Sequence, residues 1–352
     1  MDPALQRTWD EIGPKLLFPR DNTHPYYIVA PRWTYSSAGV RALHLLCHAL
    51  NRSGLKAFLV HYPFEDHPRS WTNYELWTPV LDHQQAKRHL EQGLTPIVLY
   101  PEIVSGNPLK APLVARWVMN FPGLLGGDSV YGMDEVCFGY SRELAAAAGN
   151  PEQVLHLPTV DTRIFHPSND HSERRGGCFY ALKYKNVHRG ILDPITNGCF
   201  EITRGLSDSL SPVELAQLLR RSEIFYTYEN TALATEAILC GCPAVFIPNP
   251  HLTEMIGQEE LGKDGFAWGT DPAAIAQARA TVSHGAINYL NTYNLFWDQL
   301  AAFVKISQER AKSVPYIEMV ELSWPPCRIK IELHRLKKEL RRFILRIKRL
   351  YI

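Results

Sequence analysis

Short apolar runs alternate along this chain with longer runs in which apolar residues recur at helical spacing. Apolar runs of about four to eight residues without polar alternation are typical of strands buried on both faces of a parallel sheet. The first two such runs, Tyr26–Ala30 and 56–61, flank a helical run at 40–52, and a loop of small residues precedes that helix. This order predicts a β–α–β unit of the Rossmann type.

The same alternation continues through two blocks, which a polar segment at 168–177 separates. In the first block, further strands are predicted at 95–100, 114–120 and 135–141, and helices at 82–92 and 142–148. In the second block, strands are predicted at 178–182, 223–228 and 244–247, and helices at 211–222, 232–239, 272–284 and 286–311. We therefore expect an α/β protein with two Rossmann-like domains, 25–167 and 178–311, an N-terminal extension at 1–24 that contains a short helix, and a tail at 312–352.

The central unit of the second block is the clearest candidate for a site. A strand leads into the polar turn formed by Glu229, Asn230 and Thr231, and this turn opens the helix at 232–239. In open parallel sheets, ligands bind at the carboxyl ends of the strands, and free N–H groups at a helix N-terminus suit an anion. The unit therefore predicts a phosphate-binding turn, with Glu236 one helical turn further on and facing the same crevice.

Composition narrows the class of protein. The chain of 352 residues is long enough for two domains, and its formal net charge of +1 argues against a general nucleic-acid binder. Seven cysteines without the paired spacing of a zinc site are interpreted as reduced, cytoplasmic thiols. The sequence shows no signal-peptide pattern and no apolar stretch of the ~20 residues that span a bilayer.

The segment 328–352 differs in kind from the rest of the chain. Its apolar residues recur at alternating intervals of four and three from Ile329 to Leu350, and ten Lys or Arg against two Glu give it a net charge of +8. We interpret this segment as a basic amphipathic helix that binds an anionic membrane surface. A dimerising coiled coil is the competing interpretation, because the same spacing is a heptad repeat.

Two such α/β blocks resemble the GT-B fold of nucleotide-sugar glycosyltransferases, and three segments carry the resemblance. The run Val-Asp-Thr-Arg-Ile-Phe-His-Pro at 160–167 resembles the VDxxxFxP segment that closes the first domain of retaining family-4 enzymes. The run Glu-Ala-Ile-Leu-Cys-Gly-Cys-Pro-Ala-Val at 236–245 resembles their donor-site stretch EAxxCGxPVV. The strand, loop and helix at 26–52 resemble their first Rossmann unit. The resemblance implies that domain 25–167 binds the acceptor and domain 178–311 the nucleotide sugar.

The resemblance also implies roles for the residues of the central unit. Glu236 takes the position of the family glutamate that bonds the ribose hydroxyls of the donor. The family spacing is Glu-x7-Glu, whereas Glu229 and Glu236 are spaced as Glu-x6-Glu, so the first family glutamate aligns with Tyr228 and Glu229 lies beside it. Glu229 is expected to contact the donor sugar. The backbone N–H groups expected to bind the diphosphate or the sugar are those of Asn230, Thr231 and Ala232.

Family members place basic residues after the first strand of the second domain, where they contact the diphosphate. Here Lys183, Lys185 and Arg189 follow the strand at 178–182. The family pattern of an Arg and a Lys four residues apart is best approximated by Lys185 and Arg189, which we expect to act with Glu229 in catalysis, while Lys183 binds the donor. Such cations would stabilise the negative charge that develops on a departing diphosphate.

The first domain offers four candidate residues to the cleft. The loop after its first strand contains Ser36, Ser37 and Gly39 but not the G-x-G-x-x-G fingerprint of a dinucleotide site. Glu102 follows the strand at 95–100, where either a catalytic or acceptor-binding role or a structural salt bridge is expected. No DxD motif is present, so the sequence predicts an enzyme that requires no metal and no cofactor.

These observations predict a glycosyltransferase that moves a sugar from a nucleotide-diphosphate donor to a glycan or lipid-linked acceptor. The resemblance implies retention of the anomeric configuration and a role in bacterial lipopolysaccharide, O-antigen or other surface-polysaccharide synthesis. The basic tail would hold the protein peripherally on the inner face of the cytoplasmic membrane, as a monomer or a homodimer. Two other interpretations stay open, a GT-B sugar-nucleotide epimerase and a non-catalytic GT-B-like scaffold.

Overall fold

The computed structural model describes residues 23–64, 70–168, 173–206 and 208–314. The helix predicted near the N-terminus, part of the linker at 168–177 and the basic segment at 328–352 lie outside the described residues. The described chain forms two α/β domains, each built on a five-stranded parallel sheet. The architecture predicted from the sequence, two Rossmann-like domains that face a cleft as in the GT-B fold, is confirmed.

The first domain contains, in chain order, β1 (Tyr26–Ala30), α1 (Ala38–Arg52), β2 (Ala57–His61), α2 (His83–Glu91), β3 (Ile97–Pro101), β4 (Leu113–Val118), β5 (Val136–Gly139) and α3 (Arg142–Ala147). Its sheet has the order β2-β1-β3-β4-β5. Nearly all residues of these strands are buried, as expected where both faces of a parallel sheet are covered. The predicted elements are confirmed, and their ends shift by one or two residues.

The second domain contains β6 (Gly177–Tyr180), α4 (Leu182–Asn186), a 3-10 turn (Pro194–Thr196), β7 (Phe200–Glu201), α5 (Pro212–Arg221), β8 (Ile224–Thr227), α6 (Ala232–Leu239), β9 (Ala244–Phe246), α7 (Gln258–Leu261) and β10 (Phe266–Trp268). The strand order is β10-β9-β8-β6-β7. Strands β7 and β10 were not predicted, because segments of two or three residues are shorter than the apolar runs that mark a buried strand. Lys183 and Lys185, which follow β6, lie in the short helix α4.

A single helix, α8 (Pro272–Ser313), runs through the position where the sequence predicts two helices. The predicted break at Gly285 is wrong. A Cβ at Gly285 would collide with the backbone oxygen of Asp264 and would lie 2.8 Å from a side-chain carbon of Ile238. Glycine there permits a close approach of α8 to the second domain, and this packing outweighs the usual cost of about 1 kcal/mol for glycine inside a helix.

Helix α8 contributes to the cores of both domains. Tyr289 and Tyr293 pack in the core of the second domain, whereas Phe296, Leu300 and Phe303 are buried in the core of the first. The predicted boundaries placed the whole of 178–311 in the second domain. In the structure the last part of that range completes the first domain, since its apolar side chains cover the sheet formed by β1 to β5.

Candidate active site: an interdomain cleft

A cleft of about 510 Å³ opens at the carboxyl ends of the strands of both sheets. Residues that directly follow β1, β3 and β4 line it from the first domain, and residues that follow β6 and β8 line it from the second. This is the position at which open parallel sheets bind ligands. Nine of the thirteen residues predicted for the site line this cleft: Ser36, Ser37, Gly39, Glu102, Lys183, Glu229, Asn230, Thr231 and Ala232.

The turn between β8 and α6 forms part of the second-domain wall. Thr231 caps α6, because its hydroxyl oxygen accepts a hydrogen bond from the Leu233 N–H (3.3 Å). The N–H groups of Asn230, Thr231 and Ala232 have no hydrogen-bond acceptor among the described residues. Three unpaired N–H groups at a helix N-terminus, where the helix dipole is positive, suit the oxygens of a phosphate group.

Glu229 borders the same wall but is held by backbone groups of α4. Its Oε1 accepts hydrogen bonds from the N–H groups of Lys183 (2.5 Å) and Tyr184 (3.3 Å). Glu229 therefore serves as the cap of the short helix that carries Lys183. Its contact to a donor sugar stays a prediction, and the structure adds a second role, the orientation of Lys183.

Four of the predicted site residues do not line the cleft, although all four lie in the described part of the chain. The Tyr228 ring stacks on Tyr184, with 5.0 Å between ring centroids, and its hydroxyl accepts a hydrogen bond from the Asp193 N–H (2.8 Å). Lys185 Nζ lies 2.7 Å from both carboxylate oxygens of Glu201. Arg189 occupies an exposed turn with a φ of 53°. The donor role of Tyr228 and the diphosphate role of Arg189 stay predictions, whereas the pairing of Lys185 with Glu201 argues against a diphosphate contact by Lys185.

Glu236, the fourth of them, is bound by two arginines. Glu236 Oε1 lies 3.1 Å from Arg41 Nη2, and Arg204 Nη2 forms an ion pair with Glu236 Oε2. Only 1% of the Glu236 side chain is exposed, so it does not face the crevice openly as the sequence predicted. The Arg–Glu–Arg cluster joins α1 of the first domain to α6 of the second. In this arrangement a ribose hydroxyl reaches Glu236 only after an arginine moves.

The two arginines of this cluster make further bonds to the cleft loops. Arg41 Nε donates to the carbonyl of Thr159 (3.1 Å), and Arg204 Nη1 donates to the carbonyl of Ser36 (3.1 Å). Arg204 also lines the cleft. Neither arginine is predictable from the sequence, because each is an isolated basic residue far from Glu236 along the chain. A basic residue inside the buried face of α1 was the one available signal for Arg41.

The first-domain wall is formed by the loop after β1 and the ends of β3 and β4. Ser37 caps α1, its hydroxyl oxygen accepting a hydrogen bond from the Val40 N–H (3.4 Å), and the Ser36 hydroxyl lies 2.9 Å from that of Thr34. Gly39 faces the side chain of Met119, which a Cβ on Gly39 would approach to 3.7 Å. This loop is therefore held by local bonds, and its small residues leave space in the cleft.

Glu102 lies at the carboxyl end of β3 and is 4% exposed. Its Oε2 accepts a hydrogen bond from the Met119 N–H (3.1 Å). No ion pair to Glu102 is formed among the described residues, so the structural salt bridge considered for it is not observed. Burial raises the pKa of Glu102 to about 7, against the opposing effects of hydrogen bonds from backbone N–H groups and of the Lys183 charge.

His156 is a buried residue of the cleft wall that no motif in the sequence marks. Its Nδ1 lies 3.0 Å from the carbonyl of Tyr140, and its Nε2 has no partner among the described residues. Burial lowers the pKa of His156 to about 4. The imidazole is therefore neutral at pH 7, with the proton on Nδ1, where it donates to the Tyr140 carbonyl.

Several solved structures are similar to this chain in fold. SnogD, a glycosyltransferase from Streptomyces nogalater, is 12% identical over 81% of this chain and 100% of that chain, with a TM-score of 0.43. WaaG, a glycosyltransferase involved in lipopolysaccharide biosynthesis, is 10% identical over 80% of this chain and 98% of that chain, with a TM-score of 0.42. A putative UDP-N-acetylglucosamine 2-epimerase from Listeria monocytogenes is 10% identical over 79% of this chain and 90% of that chain, with a TM-score of 0.34.

No family model and no curated protein matches the chain significantly. Since the structural likenesses are this distant, the reaction is inferred from the residues of the cleft. Among the helices within the described ranges, none is both long enough and apolar enough to cross a membrane.

Proposed function

We propose that this protein is a glycosyltransferase that moves a sugar from a nucleotide-diphosphate donor to a glycan or lipid-linked acceptor. The observation that carries the proposal is the pairing of two unlike walls across one cleft. The second-domain wall offers Lys183 and the unpaired N–H groups at 230–232, whereas the first-domain wall offers a buried carboxyl group, Glu102. The first set suits a diphosphate and the second suits a hydroxyl group.

The chemistry of sugar transfer requires such an arrangement. As the bond between the anomeric carbon and the diphosphate breaks, negative charge grows on the departing phosphate oxygens. N–H donors that are already oriented by α6, together with a nearby ammonium group, stabilise that charge without reorganisation. The volume of the cleft, about 510 Å³, lies within the range of ordinary small-molecule sites.

The finer parts of the proposal come from the resemblance and from the tail. A role in bacterial lipopolysaccharide or surface-polysaccharide synthesis is what the family-4 resemblance implies. The same resemblance implies retention of the anomeric configuration, which the position of Glu102 on the first-domain wall argues against. The segment 328–352, with its net charge of +8, supports peripheral binding to an anionic membrane surface. We propose that the transfer reaction requires neither a metal ion nor a cofactor.

The proposal is tested with UDP, GDP and dTDP and with their common sugar conjugates. A nucleotide that binds the native state raises the melting temperature, and transfer releases the nucleoside diphosphate, which a coupled assay detects. Chromatography of the product separates transfer to an acceptor from conversion of one nucleotide sugar to another, the result that an epimerase would give.

Two lysines two residues apart provide a matched pair of variants. Lys183→Ala should weaken binding of the selected nucleotide roughly 10- to 100-fold, the effect of losing one charge-assisted contact. Lys185→Ala should leave it unchanged, because Lys185 is paired with Glu201 and does not line the cleft. If no nucleotide raises the melting temperature, or if the two variants bind equally well, the proposal is wrong.

A further inference from the structure

Glu102 is buried in the cleft and forms no ion pair with any residue that the structure describes. Its main-chain position is fixed at the end of β3, where the segment that contains Gly127 packs against it so closely that a Cβ on Gly127 would collide with the Glu102 carbonyl. Its carboxyl group is held by the Met119 N–H, a neutral donor. A bound cation would stabilise the carboxylate and make it a weaker base. Because Glu102 is fixed in place and has no such partner among the described residues, it can accept a proton.

Two charged or titratable groups act on Glu102 from the elements packed around it. Lys183 acts from the second domain, across the cleft, and Tyr131 acts from the segment between β4 and β5. The charge of Lys183 favours the carboxylate, whereas burial favours the protonated acid. The tyrosine stays a neutral phenol at pH 7, because burial raises the pKa of Tyr131 to about 12.

The position of Glu102 relative to Lys183 and α6 carries the inference. The groups that suit the diphosphate belong to the second domain, and Glu102 lies on the opposite, first-domain wall. A sugar bound between the walls would have its phosphate on one side and Glu102 on the other. An acceptor hydroxyl next to Glu102 would then approach the anomeric carbon from the face opposite the leaving group.

We infer that Glu102 is the general base of sugar transfer and that the reaction inverts the anomeric configuration. In this step the acceptor oxygen forms a bond to the anomeric carbon while the bond from that carbon to the donor phosphate oxygen breaks. The hydroxyl proton passes to the Glu102 carboxylate, and the bonding electron pair leaves with the nucleoside diphosphate. No oxidant or further reactant is needed. The inference rests on the proposed function and opposes the retention that the family resemblance implies.

The protonation state of Glu102 gives the step a pH dependence. Because the pKa of Glu102 is raised to about 7, half of the free enzyme carries the required carboxylate near that pH. The value of kcat/KM should rise with pH through this region as Glu102 loses its proton. In Glu102→Gln this rise should be absent, since glutamine does not titrate.

The experiment uses the full chain and the donor selected by the nucleotide panel. Glu102→Gln should lower kcat/KM for transfer by about 10²- to 10⁴-fold, the range typical of a lost general base, and should leave the Kd for the corresponding nucleoside diphosphate unchanged. Proton NMR of the first product formed should show the opposite anomeric configuration to that of the donor. Added formate should restore part of the activity of Glu102→Ala by replacing the missing carboxylate.

The matched control is Glu91→Gln, a change of the same kind at a glutamate of α2 that is 61% exposed, which should leave kcat/KM unchanged. Retention of configuration, or transfer by Glu102→Gln at the native rate, overturns the inference while the glycosyltransferase proposal stands. A native protein that binds no nucleoside diphosphate overturns both. Loss of nucleotide binding in Glu102→Gln would assign this residue to donor binding and overturns its role as a base.

Discussion

The Arg41–Glu236–Arg204 cluster gives a quantitative prediction about stability in the absence of any ligand. Glu236→Ala removes the carboxylate and leaves two guanidinium groups facing each other, with 8% and 13% of their side chains exposed. Each arginine keeps one or more bonds to a backbone carbonyl, so part of its hydrogen-bonding capacity stays satisfied. The remaining cost is that of two like charges without their counterion in a poorly solvated site.

Removal of one partner from a buried ion pair destabilises a protein by about 3–5 kcal/mol. In a domain of 150–250 residues, 1 kcal/mol corresponds to a shift of about 2–4 °C in Tm, so we expect Glu236→Ala to lower Tm by on the order of 10 °C. If Glu236 acted only as a ligand for the donor ribose, its removal would affect donor affinity and leave the unliganded protein nearly unchanged.

Differential scanning calorimetry of the unliganded protein measures this difference. Glu152→Ala is the matched control, because Glu152 pairs with Arg142 at the surface and is 82% exposed. Exposed pairs contribute about 0–1 kcal/mol, so the control should shift Tm by a few degrees at most. Equal shifts for the two variants would refute the assignment of Glu236 as an interdomain ion-pair residue. A double-mutant cycle of Glu236→Ala with Arg41→Ala should further show a strong coupling between the two side chains.

Two further predictions concern the cores and the pH dependence of folding. The pKa of Glu102 is about 7 in the folded protein and near 4.5 in the unfolded chain. The free energy of unfolding should therefore fall by about 3 kcal/mol as pH rises from 4.5 to 7. Denaturant titrations of Glu102→Gln should lack this decrease. An identical pH dependence in both proteins would contradict the assigned pKa. Phe303→Ala should lower the free energy of unfolding by about 3–5 kcal/mol, because Phe303 is fully buried against Tyr26 and Phe138. The same change should accelerate amide exchange in β1 and β5. Lys305→Ala, on the exposed face of the same helix, should change neither the stability nor the amide exchange of these strands. If Phe303→Ala accelerated amide exchange only in the second domain, the packing of Phe303 on the first domain would be contradicted.

The strands and most helices were predictable from local pattern. Strands β1, β3 and β8 are continuous apolar runs because both faces of each parallel sheet are covered, and such runs are visible in the sequence. The start of α6 was predicted from the polar turn that ends at Thr231, which is its N-cap. The predicted break in α8 at Gly285 failed because the reason for that glycine is a contact with Asp264, which no local pattern contains.

The position of the cleft was predictable, but the state of its charged groups was not. Residues 229–232 follow the end of a parallel strand, and the topology of the sheet places them at the crevice. One of the two arginines bound to Glu236, Arg41, lies 195 residues away along the chain, so this contact depends on how the domains are arranged. The same holds for Glu102, whose raised pKa comes from burial by segments distant from it in the chain. Local pattern identifies an acidic residue but not its solvation.

The path of α8 has a consequence for the order in which the chain folds during synthesis. Strands β1 to β5 leave the ribosome first, yet the side chains that cover one face of their sheet, Phe296, Leu300 and Phe303, are made after the whole second domain. Domains of a multidomain chain generally fold as units as they emerge. Here the second domain has its core by Tyr293 and can fold while the first still exposes apolar surface. The first domain is therefore the last to be completed, and until α8 has been made one face of its sheet stays without the side chains that cover it.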